Sequence, residues 1–360
     1  DQFTVTEGSV CQALSSLDVS KAPGSDNIPT RLLRMVAAEV SPCVHKIFTR
    51  SLETASLPHE WKEATITPIY KARGSRQAPE NYRPISLLSI TSKCLESCVA
   101  KQLAKHVEKF LPKNQSGFRR HDSTELQLAR IVHRLARGID DGHVPLTCYF
   151  DLSKAFDTVW HSGLLAKLER LNVRGQALAW LREYLSQRKQ RVRVRQATSP
   201  WISVKAGVPQ GSVLGPLLFL IYTCDLPSVA DRADTTCDQF TDDTTLCTIT
   251  PTIAESECGL QAAVTSVAHW LTDWRLTVNH TKTVIMEASR RQTPLPFTIQ
   301  LNSQPLIRVT QHKHLGIVIT NDLRWKEHID GVLAKAARQL GVRSEERRVG
   351  KECRSRWSPY

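Results

Sequence analysis

The sequence predicts an α+β fold, and three observations support this prediction. Hydrophobic residues make up 41% of the 360 residues, which is enough for a large core and too many for a disordered chain. Strand-like and helix-like patterns are mixed along the chain, without the regular alternation that is typical of parallel-sheet proteins. The longest apolar run, Val213 to Tyr222, is interrupted by Gly215-Pro216 and is much shorter than the roughly twenty residues of a membrane span, so we expect no membrane partner.

The first third of the chain is predicted to be mainly helical. We expect a short helix around Cys11–Leu17, followed by a turn over residues 21–29. Another helix is expected to begin at the capping-box pattern of residues 122–125 and to end at Gly138. Between these two, helical spacing is shown by Leu95, Val99, Leu103 and Val107.

Two predicted strand ends carry carboxylates. Residues 146–151 form an apolar strand that ends on Asp151. The β-rich segments on both sides of Asp242-Asp243 predict a hairpin that turns at this acidic pair. The sequence therefore predicts three carboxylates at strand ends.

Further elements surround these strands. Helices are expected over residues 162–171 and 175–186, and residues 190–195 alternate as a strand with three arginines on one face. A long amphipathic helix is predicted by apolar residues at helical spacing, which are Leu260, Val264, Val267, Leu271 and Trp274.

The chain is strongly basic. It has 48 Lys and Arg residues against 35 Asp and Glu residues, a formal net charge of +13. Such a charge favours a polyanionic partner, most simply nucleic acid, although a merely basic soluble protein fits the charge equally well. The ten cysteines contain no Cys-x-x-Cys pair, so we expect free thiols in a reducing, intracellular compartment and no zinc site.

The predicted carboxylates fit one particular chemistry. Polymerases use carboxylates from adjacent strands to hold two Mg²⁺ ions about 4 Å apart. Mg²⁺ prefers hard oxygen ligands and bridges carboxylates to substrate phosphates. An Asp-Asp pair in a turn has an ordinary structural explanation as well, because Asp is a common turn residue.

The order of the motifs around these carboxylates favours the polymerase. Residues 150–157 (FDLSKAFD), 207–216 (GVPQGSVLGP), 240–243 (FTDD) and 279–283 (NHTKT) occur in an order that resembles the reverse transcriptase family, in particular the non-LTR retrotransposon type. The resemblance extends over roughly residues 15–340 through further blocks at 21–29, 66–71, 81–88, 115–119 and 314–317.

This resemblance implies a right-hand polymerase that makes DNA on an RNA template from a DNA primer 3′-end, with dNTPs and two Mg²⁺ ions, for which Mn²⁺ is a substitute. It implies an N-terminal extension and fingers in residues 1–142, a palm built on an antiparallel sheet in 143–320, and the start of a thumb in 321–342. Residues 343–360 have six basic and three acidic side chains and little to bury, so we expect a non-native tail. Target-primed synthesis implies a nuclear location.

The resemblance also implies roles for individual residues. Asp151, Asp242 and Asp243 are the expected catalytic carboxylates and metal ligands, together with the backbone carbonyl of Leu152. Lys282 is expected to protonate the leaving pyrophosphate.

A second group is expected to bind the incoming nucleotide. Lys71 and Arg83 match the residues that hold the triphosphate, and Phe156 matches the steric gate that excludes a 2′-hydroxyl group. Gln210 and Gly211 match the loop beneath the nucleotide and the template base. Thr241 departs from the family, which usually has Ala before the acidic pair, and we expect this change to be tolerated.

The basic residues near the strand at 190–195 have two interpretations. Arg188, Lys189, Arg191, Arg193 and Arg195 have the form of a stripe that binds nucleic-acid phosphates. The alternative is a charged strand edge that prevents aggregation. Two functional alternatives also stay open: a catalytically decayed or truncated copy that only binds RNA, and an RNA-dependent RNA polymerase, against which Phe156 and the FTDD motif argue.

Overall fold

The computed structural model describes residues 2–72, 74–119 and 122–355. Helices and strands alternate irregularly along these residues, which confirms the predicted α+β class. The strands are β1 (Glu63–Tyr70), β2 (Tyr82–Leu87), β3 (Val144–Phe150), β4 (Lys189–Val194), β5 (Ala197–Thr198), β6 (Ile202–Ser203), β7 (Thr235–Phe240), β8 (Asp243–Thr250), β9 (Val284–Glu287), β10 (Gln300–Leu301), β11 (Gln304–Pro305), β12 (Ile307–Arg308), β13 (Gln311–His314) and β14 (Ile317–Thr320). The helices are α1 (Glu7–Ser15), α2 (Thr30–Met35), α3 (Ala37–Thr54), α4 (Ile90–Val107), α5 (Thr124–Asp140), α6 (His161–Arg170), α7 (Gly175–Leu185), α8 (Leu214–Thr223), α9 (Leu226–Ala230), α10 (Ile253–Asp273) and α11 (Lys326–Ser355).

The central sheet has the strand order β12-β9-β3-β8-β7. Strand β3 lies in the middle, antiparallel to both β8 and β9, and every one of its residues is buried. Leu146 and Cys148 belong to the main core, which also contains Leu260 of α10. On the opposite face, as the two-residue period of a strand requires, Tyr149 packs with Leu128 of α5. Helices therefore cover both faces of this sheet.

A second sheet has the order β2-β1-β4-β5, with β6 beside β4. Strand β1 is antiparallel to β2 and parallel to β4. The helices near this sheet contribute large side chains to the main core, among them Phe48, Leu95 and Trp180. The N-terminal segment joins the same core through Phe3, whose ring packs edge-on against Trp180 at 6.3 Å.

Helices α6 and α7 and strands β3 and β4 lie within two residues of their predicted bounds, and α10 and the β7–β8 hairpin form where the patterns predicted them. Two helix ends differ from the prediction. Helix α1 begins at Glu7 because Thr6 and Ser9 form a capping box before Cys11. Helix α5 continues past Gly138 to Asp140, and this buried glycine lets the side chains of Pro145 and Ile249 pack closely against the helix.

The most apolar stretch of the sequence forms α8. All the residues of this helix from Leu217 to Thr223 are buried in the core. Pro216 lies in the first turn, where a helix does not need its N–H group. Among the described residues, no helix combines the length and the apolar character that crossing a membrane requires.

A buried ion pair joins α5 to the central sheet, and its removal should be costly. Arg134 donates to Asp238 at 2.6 Å, and the Asp238 side chain is 3% exposed. Replacing Arg134 with Met is expected to lower the free energy of unfolding by about 2 kcal/mol, because the buried carboxylate loses a charged hydrogen-bond donor. The matched control is Arg137→Met, since the 3.7 Å pair of Arg137 with Asp141 is largely exposed. We expect a loss below about 0.5 kcal/mol there. Urea unfolding measures both, and equal losses would contradict the prediction.

Candidate active site at the end of strand β3

The predicted carboxylates meet at one edge of the central sheet. Asp151 follows the last residue of β3, and Asp243 is the first residue of β8. Phe150 pairs with Thr244 in the antiparallel register, so the Asp151 and Asp243 backbones are neighbours. Asp242 lies in the turn before β8, because Phe240 pairs directly with Asp243. Long-range strand pairing thus brings together residues that are about ninety positions apart in the chain.

A second segment supports this turn. Thr241 has a φ of 62°, which is unusual for a β-branched residue. Residues 114–117 run beside β7, and the Ser116 N–H donates to the Gln239 carbonyl at 2.9 Å. Gly117 lies so close to the turn that a Cβ atom there would be 2.5 Å from the Thr241 nitrogen. The motif at 115–119 therefore has a structural role that its sequence did not reveal, because the contact joins distant parts of the chain.

Replacing Gly117 with Ala is expected to displace the Thr241–Asp242 turn. The added methyl group contacts backbone atoms, which cannot move aside as a flexible side chain would. In the primer-extension reaction expected from the motifs, a shift of this kind should lower the rate of nucleotide incorporation about tenfold or more, because small displacements of reacting groups are costly. Gly8→Ala is the control, since a Cβ on Gly8 meets nothing within 4 Å. Single-turnover primer extension measures both rates, and an unchanged rate in Gly117→Ala would contradict the proposed support.

The three carboxylates affect one another electrostatically. Burial raises the pKa of Asp242, and the charge of Asp151 raises it further. The pKa of Asp243 rises to about 6 through burial and through the charges of Asp242 and Asp151. A divalent cation relieves such repulsion, so carboxylates held in this way are suited to bind one.

Lys282 also reaches this cluster. Its Nζ atom lies 3.4 Å from Asp151 Oδ2. The segment that carries Lys282 is held against the end of β3, since the Asn279 N–H donates to the Asp151 carbonyl at 2.8 Å. Leu152, the next predicted ligand, forms an isolated β-bridge with Val278. The structure thus brings together Asp151, its two acidic neighbours and Lys282, as predicted from the motifs.

A cavity of about 280 Å³ opens beside these groups. Its lining residues are Tyr149, Phe150, Asp151, Asp243, Lys282, His312, Lys313 and His314. The Tyr149 and His312 rings are stacked with centroids 4.3 Å apart. His312 and Lys313 were not among the predicted site residues, although the motif at 314–317 lies directly after them and could have indicated this position.

The carboxylate oxygens of Asp151, Asp242 and Asp243 are atoms of the kind that bind a divalent cation. Within the described residues, no group of three or more His, Cys, Asp or Glu side chains is arranged to hold a metal ion. Instead, Lys282 contacts Asp151. The available donors are carboxylate oxygens, which Mg²⁺ and Mn²⁺ prefer, and their mutual repulsion favours a cation between them.

Two predicted triphosphate ligands lie on the β1–β2 hairpin. Arg83 pairs with Ile69 across the hairpin, and Lys71 follows the last residue of β1. The Lys71 N–H donates to the Asn81 carbonyl at 2.8 Å, so the pairing continues by one residue. Directly paired residues share a face, and so do residues two positions apart, which places Lys71 and Arg83 on the same face of the hairpin. The Lys71 Nζ atom donates to the Glu80 carbonyl at 2.7 Å.

The loop of residues 207–213 lies against this hairpin. The Ser86 N–H of β2 donates to the Gln210 carbonyl at 2.7 Å. Gly211 has a φ of 111°, and a Cβ atom there would lie 3.0 Å from the Ser86 carbonyl oxygen. Glycine is needed here for both reasons. The Gln210 side chain donates to Asp157 at 3.0 Å.

Phe156 adjoins the same loop. The Val208 N–H donates to the Phe156 carbonyl at 2.8 Å, and the half-buried Phe156 ring is stacked on Phe219 with centroids 4.5 Å apart. The residues predicted to bind the nucleotide therefore lie on three segments that contact one another. The β1–β2 hairpin carries Lys71 and Arg83 and binds the loop of Gln210 and Gly211 through Ser86. The Val208 N–H of this loop in turn binds the Phe156 carbonyl.

Arg188, which was predicted to belong to the exposed basic stripe, is buried. Arg188 is 2% exposed, and its guanidinium donates to the carbonyls of Tyr184 and Trp61. The local sequence could not reveal this burial, because one of the two acceptors, the Trp61 carbonyl, lies 127 residues away in the chain. Arg188 is therefore not available to nucleic acid.

The rest of the stripe lies on or beside β4. Lys189 and Arg193 are exposed, and Arg191 lies over the Trp201 ring at 4.5 Å. Arg195 has a φ of 55° in the turn after β4, so it does not follow the strand alternation of Arg191 and Arg193.

Known proteins resemble most of the chain. The family model described as reverse transcriptase (RNA-dependent DNA polymerase) matches residues 69–319. A probable RNA-directed DNA polymerase from transposon BS of Drosophila melanogaster is 33% identical over 92% of this chain and 37% of its own length. The RNA-directed DNA polymerase from mobile element jockey of Drosophila melanogaster is 30% identical over 91% of this chain and 36% of its own length. A probable RNA-directed DNA polymerase from transposon X-element of the same species is 29% identical over 87% and 35%, respectively.

These comparisons confirm the resemblance to non-LTR retrotransposon enzymes that the motifs predicted. The chain spans little more than a third of the length of these relatives. The family model covers well over half of the chain and includes the three carboxylates, Phe156 and the 207–213 loop. The chain therefore belongs to the reverse transcriptase (RNA-dependent DNA polymerase) family.

Proposed function

We propose that this chain is the polymerase region of a non-LTR retrotransposon protein and that it extends a primer 3′-hydroxyl with dNTPs on an RNA template. The observation that carries this proposal is the meeting of Asp151, Asp242 and Asp243 at one sheet edge in a member of the reverse transcriptase family. In the retrotransposon, this activity would serve target-primed synthesis on chromosomal DNA, which requires a nuclear location of the full-length protein.

The proposed architecture is a right-hand polymerase. The central sheet with α10 would be the palm, within residues 143–320. The β1–β2 hairpin and the helices of residues 1–142 would form the N-terminal extension and fingers, and the fingers would also include β4 from the palm range. The thumb would begin in 321–342, which includes the first turns of α11. The hydrogen bond from the Ser86 N–H of β2 to the Gln210 carbonyl supports this division, because it joins the proposed fingers to the 207–213 loop.

Two Mg²⁺ ions, when bound, would lower the pKa of the primer hydroxyl and neutralise charge on the triphosphate. Asp151, Asp242 and Asp243 would hold them, with the Leu152 carbonyl as a further oxygen donor. Lys282 would donate a proton to the departing pyrophosphate, and its contact with Asp151 at 3.4 Å supports this role.

The remaining site residues would orient the nucleotide. Lys71 would hold the triphosphate as a point charge and Arg83 as a planar fork. The Phe156 ring would lie beneath the sugar, where a 2′-hydroxyl group would collide with it. Gln210 and Gly211 would lie beneath the nucleotide and the template base, since the glycine allows close approach of the backbone.

We propose that Lys189, Arg191, Arg193 and Arg195 bind phosphates of the RNA template. The position of Lys189, Arg191 and Arg193 on β4, and of Arg195 in the turn after it, supports this role, because β4 belongs to the same sheet as the β1–β2 hairpin. Contacts of this kind make binding depend strongly on salt concentration.

Primer extension tests the proposed function. The protein is incubated with an RNA template, a DNA primer, dNTPs and Mg²⁺, and the extended primer is measured. Extension that requires both dNTPs and the divalent ion supports the proposal. A folded protein that binds the RNA but extends no primer would instead support the decayed or truncated copy.

A further inference from the structure

Helix α4 carries a buried carboxyl group that none of the roles above explains. Glu96 is 1% exposed. Its Oε2 atom accepts hydrogen bonds from the backbone N–H groups of Val213 at 2.7 Å and Leu214 at 3.1 Å. Its Oε1 atom accepts one from the Ser92 hydroxyl at 3.5 Å. Glu96 thus connects α4 to the first turn of α8, 117 residues further along the chain.

The surroundings of Glu96 are polar and closed to water. Burial raises the pKa of Glu96, and the Leu214 N–H and the nearby Arg188 guanidinium oppose this effect. Arg188 is held by the carbonyls of Tyr184 and Trp61. These partners explain the burial of Arg188, which donates to two backbone carbonyls instead of joining the exposed stripe.

The position of this contact matters because α8 begins directly after the 207–213 loop. At its N-terminal end, the loop is held by Gly207, whose N–H donates to the Val159 carbonyl at 2.8 Å. In the middle, Ser86 holds the Gln210 carbonyl at 2.7 Å. Glu96 holds the C-terminal end, at Val213 and Leu214. Without Glu96, the loop would keep its attachments at Gly207, Val208 and Gln210 and would lose the one at its C-terminal end, between Gly211 and α8.

We propose that Glu96 is a positioning residue for nucleotide binding: its buried carboxyl group fixes the C-terminal end of the 207–213 loop and so places Gln210 and Gly211 beneath the incoming nucleotide. This inference rests on the proposed function for its effect on nucleotide binding. Its geometric part, the attachment of the loop by Glu96, does not depend on activity. The competing explanation is that Glu96 only stabilises the start of α8 and has no specific effect on the nucleotide.

Three substitutions separate the hydrogen bonds from the volume of the side chain. Glu96→Leu keeps the volume but leaves the N–H groups of Val213 and Leu214 without an acceptor. We expect it to raise KM for dNTPs about tenfold, corresponding to about 1.4 kcal/mol, and to change kcat much less. Glu96→Gln keeps an acceptor oxygen and should retain a KM near that of the unsubstituted protein. Glu96→Asp keeps a carboxylate but, being one methylene shorter, withdraws it from α8, and it replaces the Leu variant if that variant does not fold.

Glu287→Leu is the matched control. Glu287 is 3% exposed, accepts a hydrogen bond from the Leu295 N–H at 3.3 Å and pairs with Arg308. It is therefore another buried glutamate that holds a backbone segment, but it does not contact the 207–213 loop. We expect Glu287→Leu to lower stability while leaving KM for dNTPs unchanged.

Hydrogen exchange of the free protein gives a second measurement that needs no activity. Glu96→Leu should accelerate amide exchange over 207–214, whereas Glu96→Gln and Glu287→Leu should not. An equal rise of KM in Glu287→Leu, or unchanged exchange over 207–214 in Glu96→Leu, would overturn the inference. If the unsubstituted protein extends no primer, the proposed function fails, and the exchange data alone still decide whether Glu96 holds the loop.

Discussion

Replacing Asp242 with Asn is expected to lower the rate of primer extension at least about a thousandfold, corresponding to about 4 kcal/mol in the activation free energy. The amide is neutral and cannot provide the negative charge that a divalent cation requires at this sheet edge. The fold should tolerate this change, because it removes a charge that raises the pKa of the neighbouring Asp243. Without metal, the melting temperature should therefore stay the same or rise.

The measurement is single-turnover extension on an RNA template at saturating dNTP and Mg²⁺. Asp234→Asn is the matched control, since Asp234 precedes β7 at the opposite end of the strand from Asp242. We expect that variant to keep its rate within about twofold, because exposed substitutions away from a site have small effects. Comparable rate losses in both variants would show that the carboxylates at this edge have no specific role.

Replacing Phe156 with Ala is expected to reduce the preference for dNTPs over rNTPs about a hundredfold. In the proposed site, the Phe156 ring occupies the space that a 2′-hydroxyl group would need. The ring is stacked on Phe219 and attached through its backbone to the 207–213 loop, so it has a fixed position. Removing the ring opens this space without adding a new contact to the sugar.

The preference is measured as the ratio of kcat/KM for a dNTP and for the matching rNTP. This ratio compares two substrates on the same variant, so a general loss of stability from the missing ring cancels. Phe156→Tyr is the control, because it keeps the ring and should keep the preference within about tenfold. An unchanged ratio in Phe156→Ala would mean that Phe156 is only a core residue packed on Phe219.

Local patterns predicted the elements well where periodicity is strong. The spacing of Leu95, Val99, Leu103 and Val107 predicted α4, and all four side chains are buried. The end of α5 was predicted wrongly at Gly138, since a glycine that ends a helix and a glycine that allows close packing look the same in a sequence. Only the side chains of Pro145 and Ile249 distinguish the two.

Motif order predicted the three carboxylates that meet at the edge of the central sheet, because the chemistry of the family restricts both residue type and sequence. The residues proposed to support the carboxylates and the 207–213 loop were not predicted. Gly117 and Glu96 act through backbone atoms of Thr241, Val213 and Leu214, which any sequence could supply.

Arg188 is a residue whose exposure the local sequence predicted wrongly. Its position beside Lys189 and Arg191 predicted an exposed basic stripe, yet its guanidinium is buried under carbonyls from two other segments. Residues one or two positions apart can differ completely in exposure where a strand emerges from the core.

The sequence by itself determined the α+β class, the family and the identity of the carboxylates, because hydrophobic periodicity and ordered motifs are local properties of the chain. Only the tertiary structure decided which residues contact the turn of the carboxylates and the 207–213 loop, and that Arg188 is buried. Those outcomes depend on strand register and on hydrogen bonds between segments a hundred or more residues apart, which no local pattern specifies.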